Sequence, residues 1–155
     1  MKRRRKTPGF SLVELLVVIA IILIILAIAV PNVQRARLQA AETVVVREVQ
    51  TIGQAQTQYL SQYGKYATTL TELGPPGAGG QEGPQAAYLI PGSLASGEKN
   101  GYLFTMRATA TGYTVHADPK VFGGSGRRTF YLDQNGIVHQ NLGQEPASES
   151  SPEIQ

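Results

Sequence analysis

The sequence predicts an α+β chain, a long N-terminal helix whose second half carries a small antiparallel sheet as a head. Three observations lead there. Phe10 to Val30 is a run of 21 residues in which only Ser11 and Glu14 are polar. From Ala41 to Tyr59 apolar residues recur at helical spacing. From Tyr102 to Gln140 the pattern becomes alternation interrupted by glycine turns.

The first run comes to roughly 32 Å of helix at about 1.5 Å per residue, enough to cross a hydrocarbon core. Lys2, Arg3, Arg4, Arg5 and Lys6 precede it without a single acid. That bias keeps the N-terminus in the cytoplasm and sends the residues after Val30 to the other side. A cleaved secretory signal is the competing reading, but the run is longer than an ordinary h-region. The nearest small-x-small pattern, Ala27-Ile28-Ala29, lies at its far end. Glu14 sits one turn into the run, where a carboxylate is unfavourable. Either it stays near the headgroups, or it meets a cation such as another chain's N-terminal ammonium.

The stretch Pro8-Gly9-Phe10-Ser11-Leu12-Val13-Glu14-Leu15-Leu16-Val17-Val18-Ile19 closely resembles the N-terminal signal of type IV pilins and type II secretion pseudopilins. The resemblance implies that a prepilin peptidase cuts between Gly9 and Phe10 on the cytoplasmic side and that the new Phe10 amine is N-methylated. It further implies that this amine meets Glu14 of a neighbouring subunit, an assembly salt bridge that sets register in a homo-oligomeric filament. The partners it implies are the lipid bilayer before assembly, then an inner-membrane assembly platform with its ATPase machinery. The implied location is the inner membrane, single-pass, followed by an extracellular or periplasmic filament.

Pro31 cannot donate a helical hydrogen bond and is expected to kink the helix. Beyond it, Asn32 to Tyr63 holds helix formers. Ala41, Val45, Val49, Ile52, Ala55 and Tyr59 form an apolar stripe, while Glu42, Arg47, Glu48 and Gln54 are polar. Gly53 within it is read as a tolerated penalty of about 1 kcal/mol. The whole helix, Phe10 to Tyr63, reaches on the order of 80 Å. Gly64 is the expected left-handed cap. Thr69-Leu70-Thr71-Glu72 has the form of a capping box. Tyr63-Gly64-Lys65-Tyr66 and the leucines after it extend the pilin resemblance to about residue 73.

The domain plan is a leader at 1–9, a membrane and filament-core helix at 10–30, its continuation at 31–63, a head at 64–143 and a disordered tail at 144–155. Gly74 to Pro84 is an exposed Gly/Pro connection without a phosphate-loop context. Short helical turns are expected at Ala86–Ile90 and at Ser93–Ser96. Four strands follow as a meander: Tyr102 to Thr109, Tyr113 to Asp118, Arg128 to Asp133 and Ile137 to Gln140. The last hairpin is expected to use a type I turn with Gly136 left-handed, which sets Leu132 opposite Val138. The Ser-, Glu- and Pro-rich tail lacks apolar pattern.

The remaining chemistry is sparse. Five of the 14 basic residues precede Phe10, leaving nine against 11 acids, so no broad nucleic-acid surface is expected. Arg127-Arg128, with Lys120 and Tyr131, is read as solvated strand ends rather than a DNA site. There is no cysteine, which excludes disulfides and thiolate chemistry. His116 and His139, with Asp118 and Asp133 nearby in sequence, are read as two solvated histidines on a sheet face, with no metal and no cofactor site expected. No nucleophile–base arrangement exists, so an enzyme is not expected. The leading function is a structural subunit of a type IV pilus-like filament. A major pseudopilin of a type II secretion system and a membrane-tethered module for DNA or surface adhesion are the alternatives.

Overall fold

A computed structural model describes residues 9–154. The basic residues Lys2 to Lys6, Pro8 and the rest of the expected leader before Gly9 lie outside the described residues, as does Gln155. The chain divides into two compact units, Met1–Arg37 and Leu38–Gln155. Its elements in order are α1 (Leu12–Tyr63), α2 (Leu70–Leu73), α3 (Gly92–Ala95), β1 (Glu98–Lys99), β2 (Tyr102–Ala108), β3 (Tyr113–Pro119), β4 (Thr129–Asp133) and β5 (Val138–Asn141).

α1 is a 52-residue helix that contains Pro31 without interruption. One missing donor does not stop a helix flanked on both sides by strong formers. In the first unit the described apolar side chains lie open, from Phe10 at 81 % exposure to Val30 at 50 %. In the second unit α1 buries Val45, Val49, Ile52, Ala55 and Tyr59, the expected stripe. Each such side chain contributes about 1.5–3 kcal/mol of transfer free energy. Glu42, read from the sequence as a solvent-facing position, is also buried.

The sheet is a meander in the order β1-β2-β3-β4-β5, with every pair antiparallel. It has five strands rather than the expected four. The extra one, β1, pairs Glu98 with Leu103 and Lys99 with Tyr102. Asn100 and Gly101 turn it with φ of 53° and 77°, the two positive values that a type I′ hairpin needs. Two residues are too few to show alternation, but Asn-Gly directly before a strand was the available signal. The β4–β5 turn is as expected: Gly136 has φ 78°, its amide donates to the Asp133 carbonyl at 3.1 Å, and Leu132 faces Val138.

Alternation divides the sheet into two faces. Tyr113, Val115, Ala117, Phe130, Leu132 and Val138 join the core with α1. On the other face, β4 is buried as well, and the cause is the C-terminal segment. The amide of Gln140 donates to Pro152 and that of Ile154 to Val138, both at 2.8 Å. The Thr129 hydroxyl donates to the Glu145 carbonyl at 2.8 Å. Ala147 is buried and Ile154 packs on the core. The expected disordered tail is therefore corrected: residues 144–154 form a strap that pairs with the β5 edge. Its polar composition is compatible with order because backbone hydrogen bonds, not side-chain burial, hold most of it.

Three local expectations sort out similarly. Gly64 is left-handed at φ 70° and its amide closes on Leu60 at 2.8 Å. Thr69 caps α2 by accepting from the Glu72 amide at 3.3 Å, but the Glu72 carboxylate reaches Thr68 instead of completing the box. Ala86–Ile90 is not a helical turn. Its amides donate to Glu72, Leu73 and Gly74, satisfying carbonyls that so short a helix leaves open. The second expected turn is present as α3.

Candidate functional site

Gly9 and Phe10 precede α1, both exposed, and no atom stands within 4 Å of where a Gly9 side chain would begin. The expected cut site is thus open backbone among the described residues. Ser11 immediately precedes α1 and its carbonyl accepts from the Leu15 amide at 3.2 Å, the geometry of an N-cap. Three residues on, the Glu14 carboxylate accepts from the Ser11 amide at 3.2 Å. Ser11-Leu12-Val13-Glu14 is therefore the acidic half of a capping box. A negative group there also suits the positive end of the helix dipole. The sequence carried this signal as Ser-x-x-Glu at residues 11–14. Glu14 has a local role beside any role between chains, and only one of its oxygens is engaged by it.

This element also contains the apolar stretch that, by length and composition, can cross a membrane. Residues 4–30 match the family described as prokaryotic N-terminal methylation motif. The chain carries a prepilin-type N-terminus. It is also 38 % identical over 69 residues to the type IV wide pilus major component PilA4 of Thermus thermophilus, a match over 44 % of this chain. The match spans about half of that relative, 53 % of its length. No solved structure matches the chain. With the prepilin-type motif joined to an apolar helix, the chain is similar to a type IV pilus component, and its N-terminus fits membrane anchoring.

The head residues singled out from the sequence do not converge. His116, Tyr131 and His139 stand side by side on neighbouring strands. The tyrosine ring is edge-on to both imidazoles, with centroids 5.2 and 5.9 Å away. His139 is not solvated as expected. It is buried under the strap, with Nδ1 2.7 Å from the Ser151 carbonyl, and the Nδ1–H tautomer makes that a hydrogen bond. Asp133 is buried in the turn, where it accepts from the Asn135 amide at 2.8 Å. Burial pushes the Asp118 carboxyl above its ordinary value, and the charge of His116 partly offsets this. Among the described residues no group of three or more His, Asp or Glu side chains is placed to hold a metal.

The basic strand end is occupied. Arg128 Nε meets Glu42 Oε2 at 2.7 Å, the Arg127 amide donates to Glu42 Oε1 at 2.7 Å, and Arg128 Nη1 reaches Gln140 at 2.8 Å. Lys120 pairs with Glu98 at 2.6 Å. Two of the three cations considered for phosphate contact are neutralised inside the head. Glu42 is the residue that sequence reasoning misplaced. Glu42 stands three residues before Val45, on the buried face of α1, but only the fold names Arg128 as its partner.

Proposed function

We propose that the chain is the structural subunit of a type IV pilus-like filament. In this reading prepilin peptidase cuts between Gly9 and Phe10, and the Phe10 amine is methylated. The mature helix then leaves the inner membrane for the filament through an assembly platform driven by its ATPase. The observation that carries it is the prepilin motif at residues 4–30 directly continuous with an apolar helix that this chain leaves uncovered. That helix face finds apolar surroundings either in lipid or against copies of itself, and both removals from water are favourable.

Glu14 supplies the register. Its carboxylate already holds the Ser11 amide, so a neighbour's Phe10 ammonium approaches an acid whose position is fixed. A desolvated pair of this type loses about 3–5 kcal/mol when one charge is removed. Pro31 lies just past the apolar run, at the point where the helix leaves lipid and a kink would have least to disrupt.

The likeness to a pilus component favours a pilus over the secretion pseudopilus. Electron microscopy of cells with the gene deleted and restored, joined to mass spectrometry of purified filament subunits, tests this. The expected result is gene-dependent surface filaments whose subunit begins at methylated Phe10. A secretion defect without surface filaments supports the pseudopilin reading instead. A subunit that retains its leader and never assembles supports the tethered module.

A further inference from the structure

The two ends of the sheet carry different chemistry. One is turned by Thr109-Ala110-Thr111-Gly112 and by Gln134-Asn135-Gly136-Ile137, where Ile137 is the single large apolar residue. The other holds the loop from β3 to β4 and the chain leaving β5. There Val121, Phe122 and Leu142 stand 62, 40 and 79 % exposed. Scattered apolar side chains on a surface are ordinary, but three gathered at one end mark a contact surface. This is also the end at which α1 enters the second unit. The unit begins at Leu38, and one turn on, Glu42 accepts from the Arg127 amide at 2.7 Å.

The loop presents its apolar residues on a backbone closed upon itself. The Val121 amide donates to the Ser125 hydroxyl at 3.1 Å, and the Val121 carbonyl accepts from the Gly124 and Ser125 amides at 3.0 and 2.9 Å. The Gly123 amide donates to the Gly126 carbonyl at 2.7 Å. Groups paired in this way carry no unmet hydrogen bond into a medium poor in water. Close by, the Arg127 side chain is exposed and makes no ion pair among the described residues. Apolar side chains on a self-satisfied turn, with a free guanidinium beside them, complement the interface of a bilayer. The side chains settle at the acyl boundary and the cation meets phosphate.

A count along α1 reaches the same level in the membrane-anchored state. With Glu14 at the inner headgroups, about 20 residues cross a hydrocarbon core of about 30 Å and end at about Gln34. A headgroup layer of roughly 5–8 Å takes up about four more. That brings the count to Leu38, where the second unit begins.

We propose that the loop carrying Val121 and Phe122 rests in the headgroup layer of the membrane that α1 crosses, with Arg127 on lipid phosphate. The contact is a second hold on the bilayer, released when the subunit is extracted. It rests on the membrane-anchoring part of the proposed function.

The chain has no tryptophan, so Phe122→Trp places one fluorophore in the loop. Ile137→Trp, at a site as exposed but at the opposite end, is the reference. Each full-length variant is reconstituted into vesicles of phosphatidylcholine and phosphatidylglycerol, with or without bromine on the upper acyl chain. The expected result for Phe122→Trp is blue-shifted emission and about twofold quenching by the brominated lipid, with neither for Ile137→Trp. Adding Arg127→Gln should reduce that quenching, and so should leaving out phosphatidylglycerol. Unquenched, water-exposed emission from a chain that floats with the vesicles overturns this proposal alone, as does equal quenching of the two indoles. A chain that does not float with them overturns it together with the anchoring. A blue shift without quenching that grows with protein density identifies a second copy as the occupant and likewise overturns it.

Discussion

Residues 12–37 and 38–63 are turns of one continuous helix, yet they present two different surfaces. In the first stretch apolar side chains cover every face, and all the large ones are open: Leu23 is 64 % exposed and Ile24 62 %. In the second a narrow stripe is buried completely, with Val45, Val49, Ile52 and Tyr59 at 0 %, and the remaining faces are mostly polar. A helix apolar all round needs lipid or other helices; one apolar on a stripe needs a single layer of protein. Backbone geometry does not distinguish the two halves. Side-chain pattern alone decides whether the partner is found within the chain or outside it.

Changes in the first half should therefore act on assembly, and changes in the second half on the stability of the head. The largest expected effect is at Glu14. Glutamine can keep the contact to the Ser11 amide, since both Glu and Gln serve in a capping box, but it removes the charge. Glu14→Gln should abolish filaments by micrographic count, leave processing intact on an immunoblot, and match Glu14→Ala in severity. Filaments with Glu14→Gln but not with Glu14→Ala would show that the cap, and not the ion pair, is the essential feature.

Glu42 offers the contrasting case of an acid whose partner lies in the same chain. Glu42→Ala leaves the Arg128 guanidinium and the Arg127 amide without their acceptor and should destabilise the head by about 2–4 kcal/mol. The thermal midpoint of the detergent-solubilised chain measures it. Next comes Gly53. A Cβ built there stands 2.7 Å from Leu132 Cδ2 and 3.1 Å from the Tyr113 hydroxyl. Gly53→Val should cost about 1–3 kcal/mol through overpacking, although a solvent-facing glycine would gain from replacement. A higher midpoint for Gly53→Val would contradict the close approach of sheet to helix.

The smallest effect is expected at Asp118. Its folded pKa is raised by burial, so the native state favours the proton more than the unfolded chain does. Stability from this group is complete below the unfolded value of about 3.8 and declines as pH rises through the folded one. Asp118→Asn should then raise the midpoint modestly at pH 7 and leave it unchanged in acid. A loss at pH 7 would mean that the ionised carboxylate is held by a favourable contact.

The comparison also explains what was legible in advance. Long-range periodic features came through: the apolar run, the stripe from Val45 to Tyr59, four strands and the register of Leu132 with Val138. Each is repeated along many residues or imposed by one turn, so a local pattern carries it. The misreadings share a different character. Glu42 and His139 looked solvated because polar residues usually are, yet each is covered by an element distant in sequence. The tail looked disordered because it has little to bury, but an open β5 edge supplies the backbone partners it needs. Gly53 looked like a tolerated flaw and is a point of close approach between helix and sheet.

By itself the sequence determined the fold class, the methylation motif at residues 4–30 and the division of α1 into an all-apolar run and an apolar stripe. These depend on composition and spacing within one segment, where each residue's neighbours are known. Only the tertiary structure decided that Glu42 is matched by Arg128, and that residues 144–154 strap the sheet edge. Pairings of that kind bring together groups up to 86 residues apart, and whether a polar group is solvated or satisfied depends on what the rest of the chain lays over it.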